Sequence, residues 1–157
     1  MALGFRTINP VDDRDILIRF RTDVYAINFA TYHFNQEEYL TQISTQVEKI
    51  PEGFVMAVTD HEIVGQVEVE LVEWNKKRLG HLILLYLAPE FRGRQYGDEL
   101  LEYAESVFMR QMVSAYYLFV SPENSSALSF YTRHKIGNLD IGPEVHHGRL
   151  RLGRYLC

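Results

Sequence analysis

From Leu82 to Val120 the chain reads strand, loop, helix, strand, and this unit constrains the fold more than any other feature of the sequence. Leu82 to Ala88 is nearly continuous apolar sequence, as expected of a central strand covered on both faces. Pro89 ends it, and the loop Phe91-Arg92-Gly93-Arg94-Gln95-Tyr96-Gly97 leads into a helix. The apolar positions of that helix, Leu100, Leu101, Ala104, Val107 and Phe108, recur at helical spacing on one face. Ala115 to Val120 reads as the next strand. A crossover of this kind sets its two strands side by side and parallel.

The elements around it are of a different kind. Phe5 to Ile8 reads as a short strand, and Asn9 with Pro10 supplies the cap and first turn of a helix running to about Phe29. Ile16, Leu17, Phe20, Val24 and Ile27 form its apolar stripe. A second helix starts near Asn35, which with Glu38 resembles a capping box, and carries the stripe Tyr39, Leu40, Ile43 and Val47. Pro51 closes this region. Phe54 to Val58 is a strand, and after a turn at Asp60 to Glu62 comes a longer one. There Val67, Val69 and Leu71 alternate with Gln66, Glu68 and Glu70, giving one greasy and one polar face. A charged turn at Asn75 to Lys77 precedes the central strand. Beyond Val120 the sequence predicts a short helix from about Asn124 to His134, then two strands flanking a turn at His146 to Gly148. The order β-α-α-β-β-β-α-β-α-β-β predicts an α/β (α+β) fold. It is a mixed, mostly antiparallel central sheet with a parallel β-α-β core.

With 157 residues the chain fits one domain, taken as 1–157. Its 16 Lys and Arg against 21 Asp and Glu leave a net charge of −5, which argues against a nucleic-acid partner. Cys157 is the single cysteine, so there is no intramolecular disulfide and no thiol cluster for a metal. His146 and His147 lack supporting ligand spacing and read as a hairpin turn, so no metal is expected. No apolar run reaches spanning length and the opening segment lacks a signal-peptide core, so neither membrane association nor export is expected. The expected location is cytoplasmic. Nothing in the sequence fixes the oligomeric state, and a homodimer is left open.

The loop between Pro89 and the helix carries the chemistry. Free N–H groups and the dipole at a helix start favour an anion. Gly93 and Gly97 allow close backbone approach, and Arg92 and Arg94 add fixed positive charge suited to phosphate. The spacing matches neither the GxxxxGK[ST] phosphate loop nor the GxGxxG dinucleotide fingerprint. A pyrophosphate satisfies all three features, and so, more blandly, does a surface turn with solvated arginines.

Leu85 to Ala104, LYLAPEFRGRQYGDELLEYA, resembles the acetyl-CoA-binding segment of the GNAT acetyltransferases. That pattern is a strand ending in V-x-P, then (Q/R)-x-x-G-x-(G/A), then a helix opening with paired leucines. Val120 to Gly137, VSPENSSALSFYTRHKIG, resembles the segment that follows in the same family. One position departs: the first loop glycine of the family is Gln95 here.

The resemblance implies a GNAT-like acyl-CoA N-acyltransferase fold, acetyl-CoA as co-substrate, and direct acetyl transfer to an amine in a ternary complex. It implies a central strand bulged near its end and splayed from its neighbour, with the pantetheine arm along Leu85, Tyr86 and Leu87. The Leu87 N–H is then the donor to the thioester carbonyl. Arg92, Gly93, Arg94, Gln95, Tyr96 and Gly97 are expected around the pyrophosphate, and Asn124 on the cofactor arm. Asn124 is also a plain helix cap. Tyr131 is expected beside the cofactor sulfur as general acid, or else is a core aromatic.

His81 opens the central strand where some family members carry a base, and histidine as a residue type titrates in the useful range. Glu68 and Glu70 either meet an acceptor ammonium or form a solvated face. Tyr32, His33 and Phe34, between the first two helices, either shape the acceptor pocket or pack. A small-molecule amine is the expected acceptor. A peptide or protein acceptor, and a CoA-binding module without catalysis, are the alternatives.

Overall fold

The computed structural model describes residues 2–144 and 148–156. Its six-stranded sheet has spatial order β1-β2-β3-β4-β5-β6. The strands are β1 Gly4–Thr7, β2 Phe54–Val58, β3 Ile63–Trp74, β4 Lys77–Leu87, β5 Ala115–Val120 and β6 Leu150–Tyr155. The helices are α1 Arg14–Phe29, α2 Gln36–Lys49, α3 Tyr96–Arg110 and α4 Ser125–Arg133. Every neighbouring pair of strands is antiparallel except β4 and β5, the pair joined through α3. The mixed sheet with a parallel core is therefore as predicted.

Three predicted boundaries move. The central strand β4 starts at Lys77 rather than Leu82, so His81 lies inside it rather than opening it. Asn9 does not cap α1; its side chain accepts from the Val11 and Asp12 N–H groups and caps the preceding turn instead. The helix starts one turn later, behind Asp13. Burial pushes the Asp13 carboxyl up, but the Arg6 guanidinium and the Asn9 N–H outweigh it and hold that carboxyl below its usual range. At the other end, one strand, β6, replaces the predicted pair among the described residues. The described residues just before it are irregular and pair with the sheet backbone by a single bridge, Gly137 to Gly153. His146 and His147 of the predicted turn lie outside the described residues.

The rest of the frame follows local chemistry. Asn35 caps α2, accepting from the Glu38 N–H at 3.0 Å. Asn75 and Lys76 both have positive φ and make the tight β3–β4 hairpin. Helix α3 covers the greasy face of β3 and β4, where the Phe108 ring lies so close to Gly80 that a Cβ there would clash at 2.4 Å. Helices α1 and α2 cover the other face, so Gln66 and Glu68 are buried rather than solvated.

A bulge in β4 organises the site. Leu82 pairs with Val69 and Leu84 with Glu68, which leaves Ile83 as the extra residue. One extra residue reverses the facing of everything beyond it. His81 opposes Glu70 on the polar face, and past the bulge Leu84 and Tyr86 also oppose that face, at Glu68 and Gln66. The β4–β5 ladder is brief. Only Gly80↔Tyr116 and His81↔Tyr117 are paired, and beyond them the strands diverge.

Candidate active site

Two cavities flank β4. The first, about 520 Å³, lies between the polar face of β3 and β4 and the helices α1 and α2. The second, about 700 Å³, fills the gap where β4 and β5 part and reaches the loop before α3. Helix α1 is a wall of both. Arg21 and Tyr25 line the first, while Val24, Ile27 and Asn28, one face further round, line the second.

In the first cavity His81 Nδ1 lies 2.7 Å from Glu70 Oε2, and Gln46 donates to the other Glu70 oxygen at 3.1 Å. A carboxylate at Nδ1 fixes the tautomer and leaves Nε2 available as a base. The imidazole stacks on Tyr117 at 4.6 Å and meets Phe119 edge-on at 5.7 Å, so its orientation is set by packing as well. Burial and the nearby Glu70 charge push the Tyr117 phenol up to about 12. That hydroxyl stays protonated at neutral pH and is no competing base.

Glu68 is engaged otherwise. Arg21 Nη2 contacts both its oxygens, at 3.1 and 3.0 Å, and Tyr39 and Gln66 donate to it at 2.9 and 2.6 Å. Burial disfavours the Arg21 charge, yet Glu68 and Tyr39 hold the guanidinium above even its usual range. Glu68 is thus a buried carboxylate whose charge is matched by Arg21, rather than part of the solvated face that was one of its two expected roles. Of the three residues expected between the helices, Phe34 lines the cavity, packed at 5.0 Å on Tyr25. Tyr32, 71% exposed, and His33 do not line it.

The second cavity has β4 backbone along one side. The Ala88 N–H bonds to Val64 O at 2.9 Å, so by alternation the N–H groups of Leu85 and Leu87 face away from β3 and into the gap. Leu85, Tyr86, Leu87, Arg92, Gly93, Gln95, Gly97, Asn124 and Tyr131 all line this space; Arg94 and Tyr96 do not. Arg94 instead lies over the Phe91 ring at 5.8 Å, and Tyr96 packs against the core. Arg92 is held by α1 and its own strand, donating to Asp23 Oδ2 at 3.0 Å and to Leu87 O at 2.9 Å. Tyr86 donates to the same Asp23 oxygen at 2.5 Å.

Gln95 sits at the N-cap of α3 with φ 65°, the left-handed region that costs a non-glycine residue about 1–2 kcal/mol. Gln95→Gly should remove that strain against a smaller entropic penalty, raising stability by about 0.5–1 kcal/mol. Thermal melts should show a rise of a few degrees with CoA affinity retained or improved. A fall in stability or affinity would mean that the Gln95 side chain makes a compensating contact.

Asn124 caps α4, accepting from the Ala127 N–H at 3.2 Å, and lines the cavity as well. Burial pushes the Tyr131 phenol up to about 12, so it carries its proton at neutral pH. Two residues of the first cavity, and one that holds Arg92 and Tyr86 of the second, carried no signal in the sequence. Arg21 and Gln46 stand on helices read only for their apolar stripes, and Asp23 is 63 residues from Tyr86.

Among the described residues the sheet splays at its one parallel pair, with a glycine-containing loop at the start of α3, as the resemblance to acyl-CoA-dependent transferases implies. The sequence model of the acetyltransferase (GNAT) family matches residues 18–136, and the chain belongs to that family as an N-acetyltransferase. It is 26% identical over 113 residues to a spermidine N(1)-acetyltransferase of Thermoplasma acidophilum, covering 72% of this chain and 68% of that protein. Among solved structures it resembles the paia N-acetyltransferase of Thermoplasma acidophilum in complex with coenzyme A. The TM-score is 0.77 at 20% identity, covering 99% of this chain and all, 100%, of that one. It also resembles Ard1 from Thermoplasma volcanium, with a TM-score of 0.74 at 18% identity over 100% of this chain and 99% of that one.

Proposed function

We propose that the chain transfers the acetyl group of acetyl-CoA to a primary amine of a small cationic acceptor, by direct attack within a ternary complex. The observation that carries this reading is the meeting of the two cavities beside His81. One offers unpaired backbone N–H groups and a loop suited to phosphates; the other offers an oriented base.

Acetyl-CoA is a substrate here, supplying an acyl group activated as a thioester. Leu85, Tyr86 and Leu87 would hold its arm, and the loop from Arg92 to Gly97 its pyrophosphate. His81 Nε2 takes a proton from the acceptor ammonium, and the free amine attacks the thioester carbon. Leu85 and Leu87 both turn their N–H groups into the gap. That of Leu85, the nearer to His81 along β4, rather than that of Leu87, stabilises the carbonyl oxygen as charge builds there. The acylated nitrogen gives its second proton to solvent, and protonated His81 releases its own. Carbon–sulfur cleavage leaves CoA thiolate, to which the Tyr131 hydroxyl donates before solvent reprotonates the phenol. Desolvation raises a phenol and a thiol alike, so that transfer stays close to balanced inside the cavity.

The charge of the first cavity supports a cationic acceptor. With Arg21 committed to Glu68, the carboxylates of Glu70 and Glu38 remain, and Glu38 has no cationic partner among the described residues. The rings of Tyr25 and Phe34 add a surface that attracts cations. The named activity of the Thermoplasma relative makes spermidine the first candidate.

The test follows CoA-thiol release from acetyl-CoA with spermidine, simple diamines, monoamines of matched length, amino acids and amino-terminal peptides. Diamines and polyamines are expected to exceed matched monoamines in kcat/KM. Turnover with peptides alone would transfer the proposal to a protein acceptor, and no turnover with any amine would end it.

A further inference from the structure

Among the described residues, Ile83 is the one that lines both cavities. It is also the extra residue of the β4 bulge, two positions after His81 and two before Leu85. Moving from the Leu85 and Leu87 N–H groups toward the imidazole means passing Ile83. Across the gap, Phe119 of β5 lines the second cavity and stands edge-on to His81, itself a wall of the first. The passage is thus bordered by a β-branched side chain, stiff at χ1, and by a ring packed against Tyr117 at 5.6 Å. Neither wall gives way easily.

We infer that Ile83 determines which acyl group is transferred, passing acetyl and excluding longer chains from the junction between thioester and amine. The inference rests on the reading of the two cavities given above. A thioester carbon held near the Leu85 N–H, two residues from Ile83, directs its acyl substituent toward Ile83 and the amine. An acetyl methyl ends there. Each further methylene must displace Ile83 or enter the space the attacking amine needs. The bulge makes the residue effective: without it Ile83 would pair with β3 in register, and the chain beyond it would face the other way.

The experiment measures kcat/KM for acetyl-, propionyl- and butyryl-CoA with one acceptor at saturation. Wild-type enzyme should prefer acetyl over butyryl by roughly 10–200-fold, the range one or two methylenes give in an apolar pocket. Ile83→Ala should shrink that preference by roughly tenfold or more. Ile83→Phe should reduce acetyl transfer itself while calorimetric CoA affinity stays near wild type. This variant keeps the inference testable should Ile83→Ala fold poorly. A wild-type enzyme indifferent to chain length, or an unchanged preference in a folded Ile83→Ala enzyme, overturns the inference and leaves acetyl transfer standing. Absence of acetyl transfer from wild type to any amine instead overturns the reading on which it rests.

Discussion

Arg21→Met should destabilise the fold by about 3–5 kcal/mol, the usual cost of leaving one member of a buried ion pair uncompensated. The Arg21 side chain is 14% exposed and that of Glu68 3%, so solvent screens the pair little. Against a total stability of about 5–15 kcal/mol for a domain, such a loss is severe and appears directly in a urea titration. The pair is needed because β3 carries Gln66 and Glu68 on a face that α1 and α2 bury. Burying it is itself costly: Arg21 Nε and Gln66 Oε1 have no hydrogen-bond partner. Arg21→Met combined with Glu68→Gln should therefore recover most of the loss, since a neutral pair of similar volume avoids the stranded charge. A single variant within about 1 kcal/mol of wild type, the level of an exposed ion pair, would show that water reaches Glu68.

What the sequence disclosed and what it concealed divide along one physical line. Local signals were legible. The loop after Pro89, the amphipathic α3, the Asn35 and Asn124 caps and the crossover all declare themselves within a few residues. Gln95 declared its strain through a departure from the glycine expected at its position, and its φ bears that out. Partnerships across long separations were not legible. Arg21 meets Glu68 across 47 residues, and Arg92 meets Asp23 across 69. Glu70 and His81 were each singled out, but their pairing depends on the β3–β4 register, which alternation alone does not fix. A bulge was expected through the family resemblance alone, and its position at Ile83 is hidden in the residues for a related reason. In a strand that is apolar throughout, an inserted residue leaves no break in pattern, although it reverses the facing of Leu84 and Tyr86.

His81→Ala is expected to lower kcat by roughly 10²–10⁴-fold, the span typical of a general acid–base group. Two further readouts separate a lost base from a damaged structure. CoA affinity should be unchanged, since His81 lines the first cavity and not the second. The melting temperature should move little, because Tyr117 and Phe119 still pack on one another at 5.6 Å. Rates are compared at saturating acceptor. Glu70→Gln should show a smaller loss of rate, because the amide holds the imidazole less firmly than the carboxylate 2.7 Å from Nδ1. Tyr117 offers no substitute base, its hydroxyl being pushed up to about 12 by burial and by Glu70. Wild-type kcat in the His81→Ala enzyme, with chemistry shown to limit turnover, would assign deprotonation to bulk water and reduce His81 to a packing residue between β4 and β5.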